Sequence, residues 1–286
     1  MKRIGITLGD AAGIGPEIVK AALTAPDLPR DFEYVVIGDY PDCIPGQPTT
    51  ETARAAAAAL EEAAKQVLDG RIAAVVTGPI HKARMYEIGF EFPGQTEFFA
   101  ARAGVQNFAM MLTGGSLTVA LVTTHVPLKR VPEVLNQSEI VRVGLLLEAF
   151  VRRRVARTPR IAVAGLNPHA GESGALGREE IETISPAIAE LNRQSNIFFG
   201  PVSPDTVFHR AANGDYHAVL CMYHDQGLIP LKLHAFHNGV NVTLGLPFPR
   251  TSPDHGTAFE IAGKGIARPD SMIAAIKLAA ELAPKV

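Results

Sequence analysis

Short apolar runs rich in β-branched residues alternate with longer helical segments along the sequence, and this alternation limits the folds open to the chain. Strands separated by helices pair in parallel, because each connection crosses over through a helix. Seven runs have the length and composition of strands: residues 4–8, 34–37, 73–76, 117–122, 161–166, 218–222 and 240–244. The pattern therefore predicts an α/β fold with a doubly wound sheet.

Helices are predicted between and after these strands, at residues 51–68, 138–154, 179–194 and 271–282. The helix at 138–154 starts at Ser138, a residue type that caps helix N-termini, and it ends in a basic turn that suits the helix dipole. A further helix is expected to open at residues 13–17, where Pro16 suits the first turn. No change of composition marks a linker between domains.

Composition and charge exclude several classes of protein. A chain of 286 residues has material for about two domains. Its formal net charge of -2 argues against nucleic acid or an anionic membrane as the main partner. The two cysteines form neither a disulfide framework nor a CxxC metal pair. No run approaches the ~18 apolar residues of a membrane span, and the N-terminal run is too short for a signal peptide, so we expect a cytoplasmic protein.

Three of the nine histidines follow predicted strands. His125 comes after the run at 117–122, His169 after 161–166, and His224 after 218–222. Ligands of open α/β sheets bind at the carboxyl ends of the strands, where three imidazoles can hold a divalent metal and leave positions open for substrate. Chance can also place three of nine histidines there, and their separations carry no local metal signature. The pattern alone leaves both interpretations open.

Five motifs spread along the chain are similar to those of one enzyme family. They are TLGDAAGIGPE at 7–17, TGPIHK at 77–82, LNPHAGE at 166–172, YHDQG at 223–227 and GVNVTLGLPFPRTS at 239–252. In this order they resemble the 4-hydroxythreonine-4-phosphate dehydrogenases of pyridoxine biosynthesis. The resemblance implies a two-domain α/β/α architecture like that of isocitrate and isopropylmalate dehydrogenases, with the active site in the interdomain cleft. We place the cofactor-side domain at 1–100 plus 250–286 and the metal and dimerisation domain at 101–249.

The resemblance also implies a metal site and a substrate site. The implied metal ligands are His125, His169 and His224, the same three histidines that follow the strands. The metal acts as a Lewis acid on the substrate hydroxyl; imidazole ligands favour zinc or cobalt over magnesium, which prefers oxygen. The implied substrate-binding residues are Gln95, Thr96, Lys232, Asn241 and Arg250.

Two catalytic roles are assigned beside these sites. Lys232 is the candidate proton carrier, because a buried lysine shifts its pKa readily. Asp225, adjacent to a metal ligand, orients that ligand or accepts a proton. Without the resemblance, Lys232 and Arg250 are better interpreted as solvated surface charges. Asp225 is equally well interpreted as a strand-end cap.

The cofactor implied by the resemblance is NAD, although no G-x-G-x-x-G motif follows a predicted strand. Residues 254–267 resemble the adenine-binding segment of isopropylmalate and isocitrate dehydrogenases. By that likeness His255, Gly256 and Ala258 line the adenosine pocket, and Glu260 accepts hydrogen bonds from ribose hydroxyls. A plain glycine-rich loop would account for the glycines of this segment but not for His255 and Glu260.

Three positions depart from the family pattern. Gln95 stands where the family has histidine, and glutamine can hydrogen-bond a substrate oxygen but cannot carry charge. Ala11 replaces a proline of the first loop, and the stretch at 39–48 is short for the family. Because Gln95 belongs to the substrate site, the first of these changes leaves the natural substrate open.

Several functions are compatible with this sequence. The leading hypothesis is NAD- and metal-dependent oxidation of 4-phosphohydroxy-L-threonine. The resemblance further implies decarboxylation of the product and a homodimer whose metal site takes His224 from the neighbouring chain. Within the family, the alternatives are a 4-phospho-D-threonate or erythronate dehydrogenase and a cis-dihydrodiol dehydrogenase. A metal-dependent hydrolase or lyase without NAD would leave residues 255–267 without a role. A non-catalytic binding protein would not need the three histidines, Lys232 and Arg250 together.

Overall fold

The computed structural model describes residues 1–193 and 195–284 of the chain. The chain divides into two compact units, and each contains its own strands and helices. The first unit is Met1–Gln106 with His237–Val286, and the second is Asn107–Phe236. Within the described residues, none of the helices combines the length and hydropathy that crossing a bilayer requires.

The strands of the described residues are, in chain order, β1 (Lys2–Thr7), β2 (Phe32–Ile37), β3 (Ala74–Thr77), β4 (Ala109–Gly114), β5 (Leu117–Leu121), β6 (Ile161–Ala164), β7 (Phe198–Val202), β8 (Ala218–Cys221), β9 (Val240–Leu244) and β10 (Arg250–Pro253). The α-helices are α1 (Gly15–Leu23), α2 (Thr50–Leu68), α3 (Lys82–Glu87), α4 (Gln95–Arg102), α5 (Val131–Val134), α6 (Gln137–Arg154), α7 (Ser185–Leu191), α8 (Pro204–Ala212), α9 (His224–Ala235) and α10 (Asp270–Leu282). A single π-helical turn, Glu180–Ile184, precedes α7.

The strands of the first unit are arranged in the order β2-β1-β3-β10-β9. All neighbours are parallel except β9, which runs antiparallel to β10. Val75 of β3 packs in a cluster with the alanine-rich face of α2, whereas Thr251, which pairs with Val76, donates a hydrogen bond to the carbonyl of Ala275 in α10. Successive strand residues point to opposite faces, so α2 and α10 cover opposite faces of this sheet.

The strands of the second unit are arranged in the order β4-β5-β8-β6-β7. β4 and β5 form an antiparallel hairpin, and the other neighbours are parallel. On one face, side chains of β5 and β8 pack with Leu228 and Leu231 of α9 and with residues of α8. Phe199 of β7 joins this cluster, while the adjacent Phe198 lies beside Gly144 of α6. Helices therefore cover both faces of this sheet as well.

The predicted α/β fold class is confirmed, and every predicted strand is present. Three strands, β4, β7 and β10, were not predicted. β10 has the polar sequence RTSP, and β7 contains a glycine and a proline, which an edge strand tolerates. The predicted domain ranges assign residues 237–249 to the second domain, but strand β9 pairs with β10, and these residues group with the first unit.

The N-terminus of α6 differs from the prediction. Asn136, not Ser138, is the N-cap residue: its Oδ1 accepts hydrogen bonds from the backbone N–H of Glu139, at 3.0 Å, and from the Ser138 hydroxyl, at 2.6 Å. The backbone of Asn136 is extended, as a cap requires, whereas Ser138 already lies within the helix.

We expect Asn136→Ala to lower the free energy of unfolding by about 1 kcal/mol, because the N–H of Glu139 loses its acceptor. Ser138→Ala is the matched control and should cost less, since the bond between Asn136 and the backbone remains. Urea denaturation of both variants measures the difference. A larger loss for Ser138→Ala than for Asn136→Ala would contradict this assignment of the cap.

Candidate active site

The carboxyl edge of the second unit's sheet carries the three predicted metal ligands. His125 follows β5, His169 follows β6, and His224 is the first residue of α9 after β8. The rings of His125 and His224 lie near each other within the chain, with centroids 5.6 Å apart. These positions place imidazoles where the ligands of open α/β sheets bind.

His224 has a carboxylate neighbour. Its Nδ1 is 2.7 Å from Oδ1 of Asp225, so a neutral ring with the proton on Nδ1 donates to the carboxylate and presents the lone pair of Nε2. Histidines that bind metals commonly have this second contact, which fixes the ring and raises its basicity. The observed contact fits the predicted orienting role of Asp225.

His169 lies on an unusual turn. Residues 169–173 all have positive φ angles, and His169 itself has φ 52° and ψ 30°. Its side chain is exposed, and among the described residues no three His, Cys, Asp or Glu side chains are close enough to hold a metal ion. A site that takes His224 from a second chain is incomplete in one chain, so the predicted ligand set stays a prediction.

Arg250 is a buried charge of the first unit. It lies at the start of β10 and is only 3% exposed. Its guanidinium bonds to neutral groups: Nη2 donates to Thr77 Oγ1 at 2.6 Å and to Gln95 Oε1 at 3.2 Å. Nε is buried and has no hydrogen-bond partner among the described residues.

Burial lowers the pKa of Arg250 to about 10, although the charge of Glu97 acts in the opposite direction. Holding this cation in the interior therefore costs free energy at neutral pH. A bound anion would offset that cost, and a guanidinium fork matches phosphate or carboxylate.

The predicted substrate residues of the first unit surround Arg250. Gln95 is held at both ends of its amide, because Nε2 donates to the carbonyl of Gly78 at 3.0 Å while Oε1 accepts from Arg250. Thr96 Oγ1 is 3.3 Å from Thr243 Oγ1, and Thr243 in turn is 3.4 Å from Arg250 Nη1. Gln95, Thr96 and Arg250 thus belong to one polar cluster.

The other two predicted substrate residues lie on β9 and α9. Asn241 lies on β9, opposite Ser252 of β10, and its Oδ1 is buried without a partner among the described residues. A buried oxygen of this kind fits a site that receives a polar ligand group. Lys232 is partly buried in the last turn of α9, in the second unit.

The predicted cofactor residues follow the carboxyl end of β10. His255 Nε2 is buried without a partner among the described residues, Gly256 is exposed, and Ala258 has a φ of 44°. This segment packs on the loop before α1, where the N–H of Ile14 donates to the carbonyl of Thr257 at 2.9 Å. The unpartnered nitrogen and the open backbone at Gly256 fit a bound nucleotide, with Glu260 exposed nearby in sequence.

Three residues near these sites were not predicted. Thr77 and Thr243 bond Arg250, and His81 has a buried Nδ1 without a described partner, beside the ring of Phe259 at 5.2 Å. Thr77 could have been found from the sequence, because it is a polar residue that ends a buried strand. Thr243 lies inside an apolar run, where only its place in the motif at 239–252 distinguishes it.

Comparison with known proteins identifies relatives over nearly the whole chain. The model of the family described as pyridoxal phosphate biosynthetic protein PdxA matches residues 16–279. The 4-hydroxythreonine-4-phosphate dehydrogenase of Maricaulis maris is 50% identical over 247 residues, 84% of this chain and 72% of the relative. That of Caulobacter vibrioides is 43% identical over 327 aligned positions, 99% of this chain and 98% of the relative. This alignment is longer than our chain of 286 residues, so the relative has residues that this chain lacks.

Solved structures give the same result for the fold. A crystal structure of 4-hydroxythreonine-4-phosphate dehydrogenase from Klebsiella pneumoniae matches with a TM-score of 0.87 and 36% identity, over 99% of this chain and 100% of that one. A terephthalate 1,2-cis-dihydrodiol dehydrogenase from Burkholderia xenovorans matches with a TM-score of 0.71 and 25% identity, over 98% of both chains. An isocitrate dehydrogenase from Methylococcus capsulatus, at 17% identity and a TM-score of 0.54, shares the fold over 96% of this chain and 83% of its own.

We expect inorganic phosphate to raise the Tm of the wild-type protein and to leave the Tm of Arg250→Met unchanged. The reason is that phosphate would bind the buried guanidinium of the wild type. The Arg250→Met variant lacks this charge-assisted contact, and the loss of such a contact typically costs about 2–5 kcal/mol of binding free energy. Arg142→Met is the control, since Arg142 is paired with Glu139 in the second unit. Phosphate stabilising Arg250→Met as strongly as the wild type would show that Arg250 does not bind the anion.

Proposed function

The chain belongs to the family of the pyridoxal phosphate biosynthetic protein PdxA and is a dehydrogenase, and from this premise we propose that it oxidises 4-phosphohydroxy-L-threonine with NAD and a divalent metal. The relatives at 50% and 43% identity are named as 4-hydroxythreonine-4-phosphate dehydrogenases. The observation that carries the proposal is Arg250, a buried cation whose hydrogen-bond partners are neutral. A phosphorylated amino acid supplies an anion that can bond this guanidinium directly.

In this proposal each predicted substrate residue has a role. Arg250 binds an anionic group of the substrate, Gln95 and Thr96 contact the same part of it, and Asn241 offers its unpartnered Oδ1 to a donor such as the ammonium group. Lys232 accepts the proton that the substrate hydroxyl loses on oxidation.

His125, His169 and His224 would hold the metal, and Asp225 would fix the ring of His224. When bound, a metal with such ligands polarises the substrate's oxygen atoms; imidazoles favour zinc, with cobalt as a substitute. Oxidation of the hydroxyl on the β-carbon of this amino acid yields a β-keto acid. Such acids lose carbon dioxide readily, so we propose that decarboxylation follows.

NAD, as the hydride acceptor, would be held by His255, Gly256, Ala258 and Glu260. The support from the structure is the buried, unpartnered Nε2 of His255 and the open space around Gly256, where an added Cβ would meet no atom within 4 Å. Glu260 is exposed and can accept hydrogen bonds from ribose hydroxyls.

We propose that the active form is a homodimer that completes each metal site with His224 of the other chain. Helix α9 supports this assembly, because it begins at His224 and carries large apolar side chains that face solvent in a single chain. Ile229 is 65% exposed, Leu233 is 89% and Phe236, at the end of the helix, is 73%. Leu228 and Leu231 of the same helix are buried in the core. In this proposal the segment after His224 therefore contributes both to the core and to the dimer interface.

Gln95 supports a second candidate substrate. A glutamine replaces the histidine expected from the family pattern and directs its amide oxygen at Arg250, so the site has one titratable group fewer. The same fold and machinery would also oxidise 4-phospho-D-threonate or erythronate, or a cis-dihydrodiol like that of the Burkholderia xenovorans relative. The dihydrodiol of terephthalate carries carboxylates and would also supply an anion to Arg250, whereas a dihydrodiol without an acidic group would not.

A panel assay tests the proposal. The purified protein, NAD and zinc are mixed with 4-phosphohydroxy-L-threonine, 4-phospho-D-threonate, 4-phospho-D-erythronate or a cis-dihydrodiol, and the absorbance of reduced nicotinamide is followed. We expect the first substrate to react fastest, a chelator to stop the reaction, and zinc or cobalt to restore it. Substrate consumption without NAD reduction would instead identify a hydrolase or lyase.

We expect Gln95→His to raise kcat/KM for 4-phosphohydroxy-L-threonine, because the imidazole restores the titratable group of the family pattern. Thr113→Ser, a polar change in the second unit's β4, is the control and should leave kcat/KM unaltered. A Gln95→His variant that loses turnover of a phosphorylated sugar acid, and gains none with the amino acid, would favour the second candidate substrate.

The shared metal site predicts complementation between inactive variants. His169→Ala and His224→Ala should each be inactive, and mixing them under conditions of subunit exchange should restore activity. Random exchange makes about half of the dimers mixed, and one site in each mixed dimer is complete, so about a quarter of wild-type sites should recover in a two-fold dimer.

Exchange itself is checked by mass spectrometry of differently labelled chains. Demonstrated exchange with no recovered activity would mean that each site is built within one chain.

A further inference from the structure

Buried hydrogen bonds join the three strand ends that carry the histidines of the second unit. We propose that Thr123, Gln226 and Glu180 are positioning residues. They hold His125 and His169 for the metal site of their own chain and His224 for the site of the neighbouring chain. The inference rests on the metal site of the proposed function, and it adds three residues that would not themselves contact metal or substrate.

Gln226 joins two of the strand ends. It lies in the first turn of α9, just after His224, and its side chain is buried. Its Oε1 accepts the N–H of Met222 at 2.7 Å, and its Nε2 donates to the carbonyl of Gly165 at 2.7 Å. Met222 follows β8 and Gly165 follows β6. One amide therefore links the end of the strand before His224 to the end of the strand before His169.

Thr123 joins the end of β5, the third strand end, to Met222 at the end of β8. Its hydroxyl donates to the carbonyl of Met222 at 2.7 Å, and its backbone N–H donates to the same oxygen at 3.2 Å. Thr123 lies between β5 and His125. Because β8 lies between β5 and β6 in the sheet, Met222 is the central point to which both neighbouring strand ends are tied.

Glu180 supports the turn that carries His169. It is 2% exposed, and its Oε1 accepts the N–H groups of Leu166 and Asn167, each at 2.7 Å. Its Oε2 accepts from Asn167 Nδ2 at 3.0 Å and lies against Gly171, where an added Cβ would come within 2.6 Å. Left-handed backbone at His169 and Ala170 is costly and persists only where its surroundings fix it. The hydrogen bonds of the Glu180 carboxylate fix the residues that lead into this turn.

A positioning role differs measurably from a purely structural one. A net hydrogen bond stabilises a protein by about 1 kcal/mol wherever it lies. Groups that hold metal ligands in place also affect metal affinity, and their loss typically weakens it by about 10–100-fold. Asn192 offers a matched comparison, because its amide also bridges two backbone groups, the N–H and the carbonyl of Phe198 at 3.0 and 2.8 Å. Phe198 is the first residue of β7, which runs parallel to β6. It therefore lies at the amino ends of the parallel strands, whereas the histidines follow their carboxyl ends.

The test compares Gln226→Met with Asn192→Leu in the full-length protein. Each change removes one bridging amide and keeps the size of the side chain. We expect Gln226→Met to weaken Co²⁺ binding by about 10-fold or more and to change the visible spectrum of the bound ion, while Asn192→Leu keeps wild-type affinity and spectrum. Thermal melts of the metal-free proteins should show similar losses of stability for both variants.

Thr123→Val, with Thr251→Val as its control, repeats the test should Gln226→Met fail to fold. Both threonines are buried and donate to one backbone carbonyl, but only Thr123 lies at a histidine-bearing strand end. Wild-type Co²⁺ affinity in Thr123→Val and Gln226→Met would overturn the positioning role and leave the proposed function intact. A wild-type protein that binds no Co²⁺ would overturn the metal site and the positioning role together.

Discussion

Helices cover both faces of each sheet, and this covering decides where polar chemistry can occur in the chain. Parallel strands buried on both sides favour apolar side chains along their length, so many functional groups collect where strands end. The polar residues of β9 and β10 around Arg250 are the exception. In the first unit, Thr77 ends β3 and His255 follows β10. In the second unit, the three candidate metal ligands follow β5, β6 and β8. The dehydrogenase site we propose is therefore a consequence of how the strands are buried.

Two buried polar side chains, Arg250 in the first unit and Gln226 in the second, have different hydrogen-bond environments. Arg250 is held by Thr77, Gln95 and Thr243, which fix its orientation without neutralising its charge. A buried cation bonded by these neutral groups is the reason to expect an anionic substrate. In the second unit the polar groups are balanced instead: the amide of Gln226 has both a donor and an acceptor partner. One arrangement creates affinity for a ligand, and the other fixes the geometry of the ligating side chains.

The sequence predicted those features that depend on local pattern. The strands before His125, His169 and His224 are apolar runs of the right length, so their ends, and the histidines at them, could be located. β10 could not be predicted, because Arg250, Thr251 and Ser252 are buried only through contacts with distant segments. The partners of Arg250 are equally distant, since Thr77 lies 173 residues away. The left-handed turn at His169 was also not predicted, because it consists largely of residues other than glycine and depends on Glu180.

The central claim is that this chain removes a hydride from a phosphorylated hydroxy acid. It is tested most directly with 4-phosphohydroxy-L-threonine that carries deuterium at the carbon bearing the hydroxyl to be oxidised. After a single turnover with NAD and zinc, mass spectrometry should find the deuterium on the nicotinamide ring, and a chelator should prevent the transfer. Product formed with the deuterium retained, or released to water while NAD stays oxidised, would contradict the account.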